Sequence, residues 1–340
     1  MQESKRNLVK MAFSGEKMQE VPAGFWHHFL PEKEQFAKPG DKAAQERAIE
    51  GHKKFFEEVK PDIMKIMNDA FIGHPTVMEN PLRNGEDLLA IKSLPEDHPW
   101  ITEQVEHLKK MTELFSDKVM CFYNIFSPVQ WIRIRLEFFD LDFERFVYLA
   151  ENYPKELQHA GKELGKDIQT LVRKLLTETK LDGIYYCVQN VQSPKYDQKT
   201  YKEIVGEDEL AVLKLANELS PYNILHICGY AHHKNNLDFY KDYEAGAYNW
   251  AVHTEGVSLS EGRKLFPGKC ILGGFDNNPK TLITEGDRTD VEKFAEDCIE
   301  ESEYRSFILG ADCSVPNSIA NERLRWITYC AQEKNRKQGE

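Results

Sequence analysis

Three residues in this 340-residue chain have the types and the setting to share one metal ion. His226 and Cys228 form a His-x-Cys pair at the end of the apolar run 222–227, and Gly229 follows at once. Far downstream, the stretch 306–313 repeats the pattern: an apolar run, a glycine, then Cys313 on a polar turn. One imidazole and two thiolates match zinc's preference, and three protein ligands leave one position open for substrate. A plainer reading uses the same residues, with His226 hydrogen-bonded inside the fold and both cysteines inert. Cys121, Cys187, Cys270, Cys298 and Cys330 lie within apolar segments and read as buried small hydrophobes.

The elements that would position these residues alternate strand and helix. Strands are expected at 21–29, 61–67, 118–126, 182–188, 223–227, 248–253, 270–275 and 307–309. Helices are expected over 7–15, 43–59, 101–115, 129–138, 142–177 (broken near Pro154), 208–219, 237–243, 258–265, 291–302 and 318–332. The apolar runs are too continuous for a half-exposed antiparallel sheet. Eight strands in this order predict an α/β fold, a single (β/α)8 TIM barrel, spanning 1–340 with its core at about 21–332. An irregular, Pro- and Gly-punctuated insertion at 73–100 reads as a lid or binding loop.

Composition narrows the function classes. A net charge of −12 argues against nucleic acid or an anionic membrane as the main partner. No apolar window is long enough to span a bilayer, and the first residues lack a signal-peptide core. Seven cysteines, an odd number, fit thiols in a reducing compartment, so a cytoplasmic location is expected. A homodimer is kept open.

In such barrels chemistry gathers at the C-terminal strand ends. The polar residues expected there are His27 and His28, Asp69, Asn124, Gln189, His226 with Cys228, His253 with Glu255, Asp276 with Asn277 and Asn278, and Asp312 with Cys313. The His232–His233 pair lies beyond a strand end and reads as solvated. Because 223–227 and 307–309 are not neighbours, both following loops are expected to bend over the mouth to share an ion.

The segments His226-Ile227-Cys228-Gly229, Gly273-Gly274-Phe275-Asp276-Asn277 and Leu309 to Pro316 together resemble the uroporphyrinogen decarboxylase superfamily. Within it, the His-x-Cys and distant Cys are similar to the zinc site of the methylcobalamin:coenzyme M methyltransferase branch. The resemblance implies a (β/α)8 barrel and a Zn2+ site at His226, Cys228 and Cys313. It departs from the decarboxylases at 24–31, where their arginine-rich segment has no arginine here, and near Ala311, where their histidine is missing. An octacarboxylate substrate in a chain of this charge would need those cations. Asp69, however, falls on the decarboxylases' catalytic carboxylate, with Asp62 at the family's spacing; a capping role is the ordinary alternative.

What the resemblance implies is a zinc-bound substrate thiolate that attacks the methyl group of a methylcorrinoid carried by a partner protein. Glu255 or His253 is a candidate fourth ligand or proton acceptor, each with a plain rim hydrogen bond as the alternative. Trp26, His27 and His28 are expected to wall the substrate, Asn124 and Gln189 to hydrogen-bond its polar tail, and Asp276 to line the same site. Two other readings stay open: a metal-free porphyrinogen decarboxylase centred on Asp69, and a non-catalytic barrel that binds a corrinoid or tetrapyrrole.

Overall fold

The computed structural model of the chain describes residues 4–333. Seven parallel strands form one sheet in sequence order: β1 (Ile63–Ile66), β2 (Met120–Phe126), β3 (Gly183–Val188), β4 (Ile224–Ile227), β5 (Ala247–Trp250), β6 (Cys270–Phe275) and β7 (Phe307–Ala311). Almost every strand residue is buried, as a parallel sheet covered by helices requires. The register runs from Ile63 opposite Met120 to Phe275 opposite Ala311. The architecture is α/β and TIM-barrel-like.

The expected eighth strand, at 21–29, is not formed. That stretch makes one isolated parallel bridge, Ala23 to Leu309. Gly24 N donates to Leu309 O (2.9 Å), and Leu309 N donates to Pro22 O (2.8 Å). On its other side Asp62 N donates to Ala23 O (2.8 Å), and Ala23 N donates to the Asp62 carboxylate (2.9 Å). Pro22 has no N–H to extend the ladder, and a side chain replaces a backbone acceptor at Ala23. The approach here is close: a Cβ on Gly24 would sit 2.2 Å from Ile63 Cγ1, and one on Gly310 would sit 2.9 Å from Gly24 O. The segment thus links β7 to the start of β1 by contacts too few to make a strand.

Long amphipathic helices cover the sheet, among them Lys42–Val59, Pro99–Phe115, Pro154–Glu178 and Asn321–Glu333. Asp41 caps the first of these by accepting from Ala44 N (3.0 Å), and Pro154 starts the third at a position where its missing N–H costs nothing. The predicted helix 129–138 changes character midway, ending as α-helix at Ile134 and continuing as a π-helix over Arg135–Phe139.

The 73–100 insertion is not a free-standing cover. It contains the short helices Pro75–Met78 and Gly85–Leu89 and is pinned to the flank helix Pro154–Glu178. His74 Nε2 lies 3.1 Å from Asp167 Oδ2, and Leu94 N donates to Asp167 Oδ1 (2.8 Å). Both side chains of that pair are buried, so the insertion is anchored by a core contact.

Candidate metal centre

His226 is a buried polar residue inside the apolar strand β4, so its ring must be satisfied locally. Its Nδ1 lies 2.5 Å from Asn249 Oδ1 on β5. The orientation of that amide follows from its other end: Asn249 Nδ2 donates to Leu272 O (2.8 Å) and to Ala311 O (3.1 Å), which can only accept. Oδ1 is therefore the acceptor, taking Tyr185 OH (2.6 Å) and the His226 Nδ1 proton. The lone pair of the neutral imidazole is left on Nε2, the atom that meets the cysteines.

Cys313 Sγ is 3.4 Å from His226 Nε2 and 3.9 Å from Cys228 Sγ, and the three donor atoms lie within 4.8 Å of one another. No long loop bends to achieve this. Cys228 N still donates to Val188 O, and Asp312 N to Phe275 O, so both cysteines sit where the parallel ladder ends. Asn249 spans the intervening strands β5 to β7, which explains how β4 and β7 can serve one centre. The hydrogen bond from the Cys228 thiol, together with the neighbouring His226 and Lys65, holds Cys313 well below the ordinary thiol range despite its burial. The same sulfur pair, together with burial, pushes Cys228 up.

Two further residues belong to this neighbourhood. Lys65, buried on β1, places its ammonium 3.8 Å over the Tyr185 ring and 4.7 Å from the Trp26 ring centroid. Burial lowers its pKa, opposed by the Cys187, Cys313 and Cys228 thiols and by Asp69. Tyr185 in turn packs against the His226 ring at 5.4 Å. Sequence reasoning missed Lys65, Tyr185 and Asn249. The signal was present: a lysine within Ile63-Met64-Lys65-Ile66 and an asparagine within Tyr248-Asn249-Trp250 are polar residues on buried strands.

The remaining predicted site residues fall into separate groups. Glu255 is neither free nor aimed at the sulfurs: its carboxylate accepts from Asn235 N (3.1 and 2.8 Å) and Asn235 Nδ2 (2.7 Å). Asn235 Nδ2 also donates to Cys228 O (2.9 Å), so Glu255 steadies the turn that carries Cys228. Burial raises the Glu255 pKa, countered by these Asn235 bonds. His253 is not on a strand, because β5 ends at Trp250 and His253 lies in the short helix Val252–Glu255. Its Nδ1 and backbone N both approach Asp312 Oδ2 at 2.9 Å, and Asp276 completes a cluster with them.

Asp69 is fully buried and holds backbone. It pairs with His28 Nδ1 (2.6 Å) and accepts from Phe29 N (2.5 Å) and Leu30 N (3.1 Å). Burial pushes its pKa up, but the His28 charge and these hydrogen bonds outweigh it and hold the carboxylate low. Asp62 lies at the opposite end of β1, bound to Ala23 N, Lys5 and Gln332, so the two aspartates cannot act on one substrate.

The expected substrate wall is split. Trp26 packs inside against Tyr185 (5.0 Å), while His27 and His28 line a surface cavity of about 610 Å3 with Lys54, Phe55 and Asn317. None of the three metal donors lines that cavity. Asn124 is occupied at both ends, donating to Asn68 Oδ1 (2.8 Å) and accepting from Cys187 (3.2 Å). Among the described residues, Trp26 Nε1, Asn68 Nδ2 and Gln189 Nε2 are buried donors without a hydrogen-bond partner. His233, read as solvated, instead stacks on Phe143 at 4.4 Å and lies 3.4 Å from Glu137. The other five cysteines are buried free thiols, as expected.

The fold is TIM-barrel-like, and an imidazole and two thiols that could hold a metal ion converge at the C-terminal strand ends. No protein-family model matches the chain, and no curated protein matches it in sequence. Among solved structures, it is similar to a methyltransferase from Methanosarcina mazei, with a TM-score of 0.72 over 98% of this chain and 99% of that one, at 14% sequence identity. At that identity the likeness establishes the shared fold. No helix among the described residues is long and apolar enough to cross a membrane.

Proposed function

We propose that this protein is a zinc-dependent methyltransferase that methylates a small thiol, with a methylcorrinoid carried by a partner protein as donor. The observation that carries this reading is the convergence of His226 Nε2, Cys228 Sγ and Cys313 Sγ, with the imidazole tautomer preset by Asn249. The donor set fits the ion: two thiols and one imidazole lone pair are what zinc prefers. Bound there, zinc lowers the pKa of a thiol in its open position, while two anionic sulfur ligands keep that sulfur electron-rich.

The chain's own residues account for the rest. Asn249 and Tyr185 fix the ring of His226; Glu255, through Asn235, fixes the turn at Cys228. Lys65 lies buried beside the sulfur cluster, and its protonated form would offset the negative charge gained if a third thiolate entered. The unpaired donors Trp26 Nε1 and Gln189 Nε2 are available to acceptor atoms on a substrate tail. A methyl transfer here would form a bond from the substrate sulfur to the methyl carbon and break the donor's carbon–cobalt bond, the electron pair leaving with the corrinoid. The thiol proton is lost to water beforehand. Asp69, fully engaged with backbone and His28, has no free oxygen to lend to a decarboxylation.

The test is metal analysis of the purified chain beside Cys228→Ser and Cys313→Ser, followed by methylcobalamin turnover with a panel of thiols. One zinc per chain in the wild type, lost in both variants together with thiol methylation, is the expected result. A wild type that takes up no zinc sinks the reading.

A further inference from the structure

We infer that His253, Asp276 and Asp312 form a second cation site at the barrel rim, built from nitrogen and oxygen donors and distinct from the sulfur centre. The three residues follow β5, β6 and β7 in turn, and one ligand atom from each lies within 4.8 Å of the others. Asp312 is 1% exposed, yet only one of its oxygens is used. Oδ2 takes both His253 contacts, while Oδ1 is buried with no hydrogen-bond partner. A buried carboxylate oxygen left unpaired is costly and calls for a ligand.

The partner atoms are arranged to leave donors free. His253 Nδ1–H is held by Asp312 Oδ2, so the ring nitrogen left for an ion is Nε2, which must give up any proton to bind one. Asp276 Oδ1 accepts from Asn278 N (3.0 Å) and Asn278 Nδ2 (2.7 Å), which orients that carboxylate and leaves Oδ2. Asp312 Oδ1 and Asp276 Oδ2 are therefore the carboxylate atoms left for an ion, with the His253 imidazole as the third donor of the cluster. Among the described residues, neither carboxylate has a lysine or arginine ion-paired to it, and the basic side chain that meets Asp312 is His253.

The donor chemistry separates the two sites. Imidazole with two carboxylates accepts harder divalent ions such as Mn2+, whereas the sulfur set selects zinc. Three protein donors leave further positions on the ion for water or for an anionic oxygen. The assignment uses none of the zinc donors and stands whether or not the methyltransferase reading does.

The test is titration of the full chain, stripped of metal by chelator, with Mn2+ alone, following the free ion by electron paramagnetic resonance. One Mn2+ bound per chain is expected. Asp276→Asn, at a partly exposed position, weakens it at least about tenfold with an unchanged thermal melt, and Asp312→Asn abolishes it. The double variant Cys228→Ser/Cys313→Ser binds Mn2+ as the wild type does, so loss of zinc and loss of this site are read separately. The assignment is overturned if no Mn2+ binds at millimolar concentration, or if binding survives Asp276→Asn undiminished, as for a simple His253–Asp312 ion pair.

Discussion

Asn249 Oδ1 lies 2.5 Å from His226 Nδ1, and the amide that presents this oxygen is locked by two backbone carbonyls from different strands. The relationship makes the orientation of the imidazole, with Nδ1 turned to Asn249, part of the fold and not a consequence of metal uptake. Asn249→Ala should therefore weaken zinc binding about 10- to 100-fold, the usual range for loss of a residue behind a metal ligand. It also leaves Leu272 O, Ala311 O and Tyr185 OH without that partner, so destabilisation of a few kcal/mol is expected. Chelator competition measures the first effect and denaturant unfolding the second. Unchanged zinc affinity would show that the histidine needs no orienting partner.

On the zinc reading, His226 would meet the metal directly and Glu255 only through Asn235 and Cys228, and that difference is measurable. Glu255 grips Asn235, and Asn235 grips the carbonyl of Cys228. Replacing Glu255 with alanine should loosen the turn and lower metal affinity about tenfold without altering the ligand set. With cobalt(II) in place of zinc, the sulfur-to-metal charge-transfer absorption per bound ion should stay as in the wild type. A changed spectrum would instead make Glu255 a ligand.

Zinc uptake should be pH-dependent with a defined sign. Cys313 is already held low, whereas Cys228 is pushed up by its sulfur neighbour and by burial. The ion must displace the Cys228 proton, so apparent affinity rises with pH across the neutral range and a proton is released on binding. Calorimetry in buffers of different ionisation enthalpy counts that proton. In Cys228→Ser the pH slope should fall along with the affinity.

Much of this was legible in the sequence, for physical reasons that can be named. Parallel strands buried on both faces leave long apolar runs, and so seven of the eight expected strands form. The stretch at 21–29 looked equally strand-like, but Pro22 and the close packing at Gly24 limit it to one bridge. His226, Cys228 and Cys313 meet because the ladder delivers them, although their separation by two intervening strands suggested bent loops. Roles set by hydrogen bonds across the barrel were not legible. Asp69 lies just past β1 and Glu255 ends the short helix after β5, and only their partners show that both hold backbone in place.

Asp69→Asn distinguishes that holding role from a catalytic one. Its folded pKa lies below the unfolded value, so its ionised form stabilises the fold above the unfolded pKa, and this is lost as pH falls through the folded pKa. At neutral pH the asparagine variant should lose about 1–3 kcal/mol of stability, because one acceptor of Phe29 N or His28 is replaced by a donor. Thiol methylation per folded, zinc-loaded molecule should be unaffected in kind. A variant of wild-type stability that is nonetheless inactive would restore Asp69 to the chemistry.

Glu209 shows the same logic with the opposite sign. It sits in the acidic first turn of helix Glu207–Leu219 and is fully buried. It accepts from Ser127 Oγ (2.7 Å), Tyr201 OH (2.9 Å) and Tyr243 OH (2.6 Å). Burial raises its pKa from 4.5 to about 7, more than these three hydroxyls lower it. The fold therefore favours the protonated acid: its contribution is complete below the unfolded pKa and is lost as pH rises through about 7. The shift from 4.5 to about 7 is roughly 2.5 units, which bounds the effect at about 3 kcal/mol. Glu209→Gln cannot ionise, so its stability relative to wild type should improve by up to that amount between pH 5 and pH 8. Denaturant unfolding of both proteins across this range makes the comparison, and parallel profiles would mean that Glu209 does not titrate there.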